Sequence, residues 1–259
     1  MATGVRMYGA ERQRLILERA RTDGRVQVVV LASELEVTTE TIRRDLTTLE
    51  RQGLVRRVHG GAIPVERLGF EPGLAARDSV QTDQKERIAK AAVAELPNDG
   101  AILIDAGTTT ARFAELLPGD RELTVITNSL PIAMSLSARP TITLLLIGGR
   151  VRGRTLATVD AWATHALAGT FVDVAFMGTN GISAARGLTT PDQTEAATKT
   201  AMVAAARRTI VLADHTKVGV DHLARFASLD EVDTVITDDE IDDELAAEVE
   251  ACGPELVRA

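Results

Sequence analysis

Apolar residues recur at helical spacing between residues 38 and 51 of this 259-residue chain. With Ile42 at zero and about 100 degrees per residue, Ile42, Leu46 and Leu49 fall within about 40 degrees of one line. Such a stripe seats a helix against other helices. Glu40, Arg44, Thr47 and Arg51 occupy the opposite side, with Arg43 and Thr48 at its margins. Thr38 is placed to accept an orphan backbone N–H, Glu40 to complement the dipole in the first turn, and Gly53 to end the helix. Leu54–Val58 then reads as a strand, His59-Gly60-Gly61 as a turn, and a second strand closes at Pro64. Two helices are predicted upstream, from about Ala10 to Arg21 and from about Val28 to Leu35, separated by the breaker Thr22-Asp23-Gly24. The second carries Val28-Val29-Val30-Leu31 behind a poor N-cap, Gln27. Some of these valines are expected to pack against the larger domain or a partner chain. Three helices and a basic hairpin describe a winged helix-turn-helix, whose arginine- and threonine-bearing face suits phosphates and base edges.

Residues 65–82 read as a linker, since Gly69, Pro72 and Gly73 interrupt regular structure. From Asp83 onward apolar runs alternate with amphipathic segments. Helices are predicted at Asp83–Leu96, Thr108–Leu117, Pro131–Ala138, Asp160–Ala168, Pro191–Arg207 and Asp242–Glu250. Strands are predicted at Ala101–Asp105, Leu123–Thr127, Thr141–Ile147, Val172–Met177, Thr209–Ala213 and Thr234–Thr237. Continuous apolar strands between helices predict an α/β fold with a mostly parallel sheet covered on both faces. The chain therefore divides into a winged helix-turn-helix at 1–64, a linker at 65–82 and an α/β domain at 83–259.

Composition sharpens this division. The net charge of −8 argues against a nucleic-acid partner until it is split. Residues 1–67 hold 12 Arg against 9 Asp and Glu, a net +3, and the rest holds 17 basic against 28 acidic residues, a net −11. The positive charge sits with the predicted reading helix, which points to double-stranded DNA. Seven aromatics are too few for a platform that stacks single-stranded bases. One cysteine, Cys252, allows no intrachain disulfide, and no apolar run is long enough for a leader or a membrane span. A cytoplasmic location without a membrane partner is the expectation. Only four lysines occur beside 25 arginines, so Lys85, Lys90, Lys199 and Lys217 stand out.

Ligands of parallel sheets bind at the carboxyl ends of the strands. There the chain places Asp105-Ala106-Gly107-Thr108-Thr109-Thr110, Thr127-Asn128-Ser129, Gly148-Gly149-Arg150, Gly178-Thr179-Asn180-Gly181, and Asp214-His215-Thr216-Lys217. Gly187-Leu188-Thr189-Thr190 lies further along the fourth loop. Any one of these alone reads as a polar loop capping the next helix. Five together, with helix N-termini behind them, read as a shared site for a phosphate-bearing ligand. There is no GxGxxG after a strand and no GxxxxGK[ST]. The four histidines have no Cys or His companions at metal spacing, and no activated serine accompanies Asp214-His215. Neither a cofactor nor a metal is expected.

These residues together resemble the DeoR family of bacterial transcriptional regulators, over about Tyr8 to Asp239. TIRRDL at Thr41–Leu46 and RVHGGA at Arg57–Ala62 carry the resemblance in the head. DAGTTT at Asp105–Thr110, TNS at Thr127–Ser129, EAATK at Glu195–Lys199 and ADHTK at Ala213–Lys217 carry it in the body. Within the family the pattern is most similar to actinobacterial repressors of sugar-uptake genes. The resemblance implies a sensor domain similar to ribose-5-phosphate isomerase and a phosphorylated sugar as effector, with fructose 1-phosphate and fructose 6-phosphate as candidates. It implies operator contacts from Thr38, Thr41, Arg43, Arg44 and Thr47, and from Arg56, Arg57 and His59 in the wing. It implies effector contacts from Asp105, Gly107, Thr108, Thr109, Thr110, Asn128, Gly149, Gly178, Glu195, Asp214 and Lys217, with Lys199 as a further candidate. Val29 and Val30 depart from the more polar residues usual there. A repressor of sugar uptake or catabolism genes, acting as a homodimer or higher homo-oligomer and not as an enzyme, is the expectation. One alternative is a sugar-phosphate isomerase-like enzyme with an attached DNA-binding head, using Glu195 and Asp214 as acid and base. Another is a constitutive DNA-binding scaffold whose body only dimerises.

Overall fold

The computed structural model describes residues 9–51, 54–58, 60–64 and 71–259, with Arg56 described by its backbone alone. The predicted helix end at Gly53 and the wing residue His59 lie outside the described residues. The chain divides into two compact units, Met1–Pro72 and Gly73–Ala259.

The first unit holds α1 (Gly9–Asp23), β1 (Val26–Gln27), α2 (Val28–Glu34), α3 (Thr39–Arg51), β2 (Val55–Val58) and β3 (Gly61–Pro64). The three strands form an antiparallel sheet in the order β1-β3-β2. Its core joins Ile16 and Ala20 of α1, Val28 and Leu31 of α2, the predicted stripe Ile42-Leu46-Leu49 of α3, and Val55 and Ala62 of the sheet. Within the apolar run of α2, Val28 and Leu31 thus serve the head's own core, one turn apart, while Val29 and Val30 are exposed. Gln27 gives no side-chain cap, but the Val28 N–H donates to the Gly60 carbonyl at 2.9 Å. The paired glycines have distinct tasks. Gly60 takes φ +74°, and a Cβ at Gly61 would lie 1.9 Å from the Val26 carbonyl oxygen, so only glycine lets β1 approach β3.

The second unit begins with α4 (Leu74–Asp78) and α5 (Thr82–Ala92). Strands β4 (Gly100–Ile104), β5 (Leu123–Thr127) and β6 (Ile142–Leu146) alternate with α6 (Thr108–Glu115) and α7 (Leu130–Leu136). A hairpin of β7 (Arg150–Arg152) and β8 (Ala157–Val159) leads to α8 (Ala161–Leu167) and β9 (Val172–Gly178). Then come β10 (Gly181–Ser183), β11 (Gly187–Thr190), α9 (Gln193–Ala204), β12 (Ala206–Leu212) and β13 (Ala224–Ala227), followed by β14 (Thr234–Thr237), α10 (Asp243–Glu250) and β15 (Glu255–Arg258). The main sheet runs β15-β14-β12-β9-β4-β5-β6 with every neighbouring pair parallel. Alternate residues serve opposite faces. Ile102, Ile104, Val125, Phe176 and Ile210 pack with Ile88, Phe113 and Ile132 of α5, α6 and α7. Leu103, Ile126, Met177 and Val211 pack with Ala163, Met202 and Ala246 of α8, α9 and α10.

Three sequence readings need correction. The predicted linker 65–82 contains α4, whose Leu74 N–H donates to the Arg154 carbonyl at 3.1 Å and so belongs to the second unit. The helix predicted at Pro191–Arg207 ends at Ala204, and the chain is already in β12 at Ala206, opposite Val172. Sheet pairing there overrides the helical preference of Ala204-Ala205-Ala206. The hairpin β7–β8, the antiparallel sheet β10-β11-β13 and the edge strand β15 were not predicted. No described helix is long and apolar enough to cross a membrane.

Candidate functional sites

In the head, burial of the Ile42-Leu46-Leu49 stripe turns the opposite face of α3 outward, and the Arg44 side chain is 81% exposed. Thr38 Oγ1 accepts from the Thr41 N–H at 3.1 Å, which caps α3 as the sequence predicts. Arg43 and Arg44 each lie 3.7 Å from a Glu40 carboxylate oxygen. Exposed pairs of this kind contribute little, so both guanidinium groups can exchange Glu40 for a phosphate or a base edge. Arg57 behaves differently. It donates to the Thr47 hydroxyl at 3.1 Å and the Arg43 carbonyl at 3.4 Å, its backbone N–H donates to Glu50 at 2.9 Å, and its buried Nε has no hydrogen-bond partner. Arg57 therefore braces the wing against α3. Beneath the helix, buried Asp45 accepts from Arg12 at 2.6 Å and Gln13 at 2.9 Å, tying α3 to α1.

In the body, the strand order proceeds β4-β5-β6 one way and β9-β12-β14-β15 the other. The order reverses between β4 and β9, so the loops leaving those two strands diverge and open a crevice. Asp105 stands at its mouth, fully buried. Its Oδ2 accepts from the Gly178 N–H at 3.0 Å and is ion-paired with the Lys199 ammonium, which also donates to the Gly178 carbonyl at 3.0 Å. Its Oδ1 is buried with no hydrogen-bond partner. Asn128 is also fully buried: its Oδ1 accepts from the Ala106 N–H at 3.0 Å and its amide donates to the Thr158 carbonyl at 3.3 Å. It spends its polar atoms holding the β4 loop, the β5 loop and the hairpin together. Beside it α6 begins at Thr108 behind Gly107, which offers no side-chain cap, so the helix presents its positive end to the crevice. A Cβ at Gly107 would fall 2.9 Å from Thr110 Oγ1.

The remaining strand-end loops carry the other candidate residues. Glu195 is buried and accepts from Arg152 at 2.9 Å and the Thr155 hydroxyl at 3.3 Å. Arg152 also lies 3.2 Å from Asp192, which caps α9 through the Glu195 N–H. Burial pushes the Asp192 carboxyl up, but that N–H and Arg152 outweigh it and hold it below the usual carboxylate range. Asp214 accepts from the backbone N–H and hydroxyl of Thr216. Half-buried Lys217 has no ion-pair partner among the described residues. Nearby, Lys85 is buried and donates to the Arg77 and Val80 carbonyls, and it feels Asp214, Lys217, Arg112 and Arg77 electrostatically. Gly149 stands at the start of the hairpin: it adopts φ +148°, and a Cβ would lie 2.5 Å from the Val159 carbonyl oxygen. His215, Asp238 and Glu240 bring ligand-type atoms within 4.8 Å of one another. Asp238 already accepts from His215 and the Glu240 N–H, and Glu240 binds Gln84, so this trio reads as a hydrogen-bonded clasp.

Residues 12–67 match the DeoR-like helix-turn-helix domain and residues 80–239 match the DeoR C terminal sensor domain. The chain belongs to the DeoR family. The HTH-type transcriptional regulator GlpR of Haloferax volcanii is 38% identical over 252 residues, 97% of this chain and 98% of the relative. The uncharacterized HTH-type transcriptional regulator FruR of Bacillus subtilis is 33% identical over 234 residues, 90% of this chain and 93% of the relative. The glycerol-3-phosphate regulon repressor of Escherichia coli is 31% identical over 232 residues, 90% of this chain and 92% of the relative. Ribose 5-phosphate isomerase A of Methanocaldococcus jannaschii aligns with 52% of this chain and 54% of its own, at 22% identity and a TM-score of 0.39.

The DeoR motifs thus acquire physical tasks. In TIRRDL the arginines face out while Asp45 faces in, and in RVHGGA the glycines allow the wing to close on β1. Arg12, Asp45, Lys85, Arg152 and Thr155 were not singled out as functional from the DeoR pattern. A signal for two of them existed. Asp45 lies about 60 degrees from Ile42, at the edge of the apolar stripe, and Lys85 stands three, four and seven residues before Ile88, Ala89 and Ala92, on their buried face.

Proposed function

We propose that this chain is a transcriptional repressor whose hold on operator DNA is set by a phosphorylated sugar. The head, residues 1–64, presents Thr41, Arg43, Arg44 and Thr47 of α3 to the major groove, with Arg56 and His59 of the wing on the backbone. Residues 83–259 form the sensor, joined to the head through 65–82, of which α4 (Leu74–Asp78) already belongs to the sensor's unit. The observation that carries the sensor reading is Asp105 Oδ1, buried at the switch point without a hydrogen-bond partner. An unpaired buried carboxylate oxygen is costly, and a sugar hydroxyl donating to it removes the cost. Lys199 balances the charge of Asp105, so the carboxylate does not repel a phosphate at the N-terminus of α6. Lys217 supplies the cation beside it. The names of the relatives, among them a glycerol-3-phosphate regulon repressor, support a small phosphorylated effector. Fructose 1-phosphate and fructose 6-phosphate are the first candidates, with glycerol 3-phosphate as the third. The repressor acts as a homodimer or higher homo-oligomer. Catalysis is disfavoured because Arg152 and Thr155 hold Glu195 as an ion-paired acceptor, a poor general base.

A thermal melt with each sugar phosphate tests this reading. At about 100 times its dissociation constant the true effector adds about 2.7 kcal/mol, a rise of roughly 5 to 10 °C in a domain of this size. Lys217→Met should abolish the rise while leaving the unliganded melting temperature unchanged or higher. A full rise in Lys217→Met, or no rise with any of the three compounds, counts against the site.

A further inference from the structure

The two edges of the seven-stranded sheet are built differently. β15 begins with exposed Glu255 and ends with exposed Arg258, charges of the kind that keep an edge strand from pairing. β6 lies within Thr141–Ile147, a run with no charge, proline or glycine. Its side chains alternate between the two helical layers: Ile142 and Leu144 pack with α5–α7, and Ile147 packs with α8–α10. Yet Leu145 and Leu146, one on each face, are 50% and 46% exposed. Each layer adds one more apolar residue facing solvent. Met134 of α7, a helix packed on β6, is 78% exposed. Trp162 of α8 is 80% exposed, and its neighbour Ala163 lies against Gly149 just past the end of the strand. Among the described residues no strand pairs with the outer side of β6.

We propose that β6 is the seam of a homodimer, pairing antiparallel with β6 of a second copy across a twofold axis and covering Leu145, Leu146, Met134 and Trp162. Unpaired strand edges are satisfied by another extended segment. Charge selects which one. The run offers nothing to a charged peptide, and Arg150 beyond its end is already 3.2 Å from Asp160. The complementary strand must be uncharged and apolar on both faces, and this strand meets that description. Twofold antiparallel pairing is isologous and sets no like charges opposite each other along the run. Reading a twofold operator also requires two heads one helical turn apart, a reason that rests on the function proposed above.

Sedimentation velocity on the full chain, without DNA or effector, tests the seam. The wild type should sediment as a dimer. Leu145→Lys should weaken association by about 100-fold, because it sets like charges into a closed apolar contact. Mixing Leu145→Lys with Leu145→Glu should restore it. Met134→Lys, a change on an open helix surface that leaves the fold alone, should weaken association by about 10-fold. Phe171→Lys, at an equally open position (84% exposed) preceding β9, should change nothing. A monomeric wild type overturns the proposal. So does a dimer that survives both Leu145→Lys and Met134→Lys with native circular dichroism, or one broken by Phe171→Lys alone. Failure of the operator reading shows separately, as a lost gel shift with the dimer intact.

Discussion

Lys85 is a residue whose chemistry depends on its surroundings. Burial, opposed by attraction to Asp214 and reinforced by repulsion from Lys217, Arg112 and Arg77, lowers its ammonium from 10.5 to about 8. The sign of the consequence is fixed. Below pH 8 both folded and unfolded chains hold the proton, and the cost of burying the charge is fully present. Between about 8 and 10.5 the folded chain has released a proton that the unfolded chain still binds, so stability rises with pH across that window. Chemical denaturation at pH 7.5 and 9.5 should show a gain for the wild type that Lys85→Met lacks; equal gains in both would remove Lys85 from the explanation. Arg44 is the opposite case, because the only described partner of its side chain is an exposed Glu40 at 3.7 Å. Arg44→Ala should leave the melting temperature unchanged and weaken operator binding by about 1–3 kcal/mol. Undiminished sequence-specific binding in a gel shift at physiological salt would exclude α3 as the reading helix.

At the scale of elements, what the sequence disclosed follows periodicity. The stripe on α3 and the apolar runs of β4, β5, β9, β12 and β14 were legible because burial on one helical face, or on both faces of a strand, forces a repeating pattern. The hairpin β7–β8 and the sheet β10-β11-β13 were not. Their strands are three or four residues long, and runs such as Arg150-Val151-Arg152 carry no apolar pattern that outlasts one turn. The site divides in the same way. Loops at strand ends could be read as converging, but the buried partners of Asp105 and Glu195, contributed by Lys199 and Arg152, depend on tertiary contacts across many residues. Asp45 shows what such a contact is worth. Asp45→Ala removes the buried carboxylate that ties Arg12 and Gln13 of α1 to α3, a loss of about 3–5 kcal/mol in a unit with a small core. Because two units need not unfold together, calorimetry should show a new low-temperature transition for the head with the sensor transition unmoved. A single shifted transition would mean that the two units melt as one.

For the whole molecule, the issue is how a ligand at the site proposed under the strand ends would alter the proposed grip of α3 on DNA. Tight effector binding alone moves no equilibrium. The effector must bind the DNA-competent and DNA-incompetent arrangements with different affinities. Thermodynamic linkage then constrains the measurement. If the effector changes operator affinity by some factor, saturating operator must change effector affinity by the same factor, typically about 5- to 150-fold. Titrating the sugar phosphate by calorimetry against the free protein and against its operator complex gives one ratio, and operator titrations with and without effector give the other. The two should agree, and Lys217→Met should bring both to one by removing the effector, while Arg44→Ala should weaken operator binding without altering effector affinity for the free protein. Effector affinity that is identical in free protein and complex, alongside an operator affinity that does respond to the sugar phosphate, would break the cycle. The compound would then be acting somewhere other than at the mouths of β4 and β9.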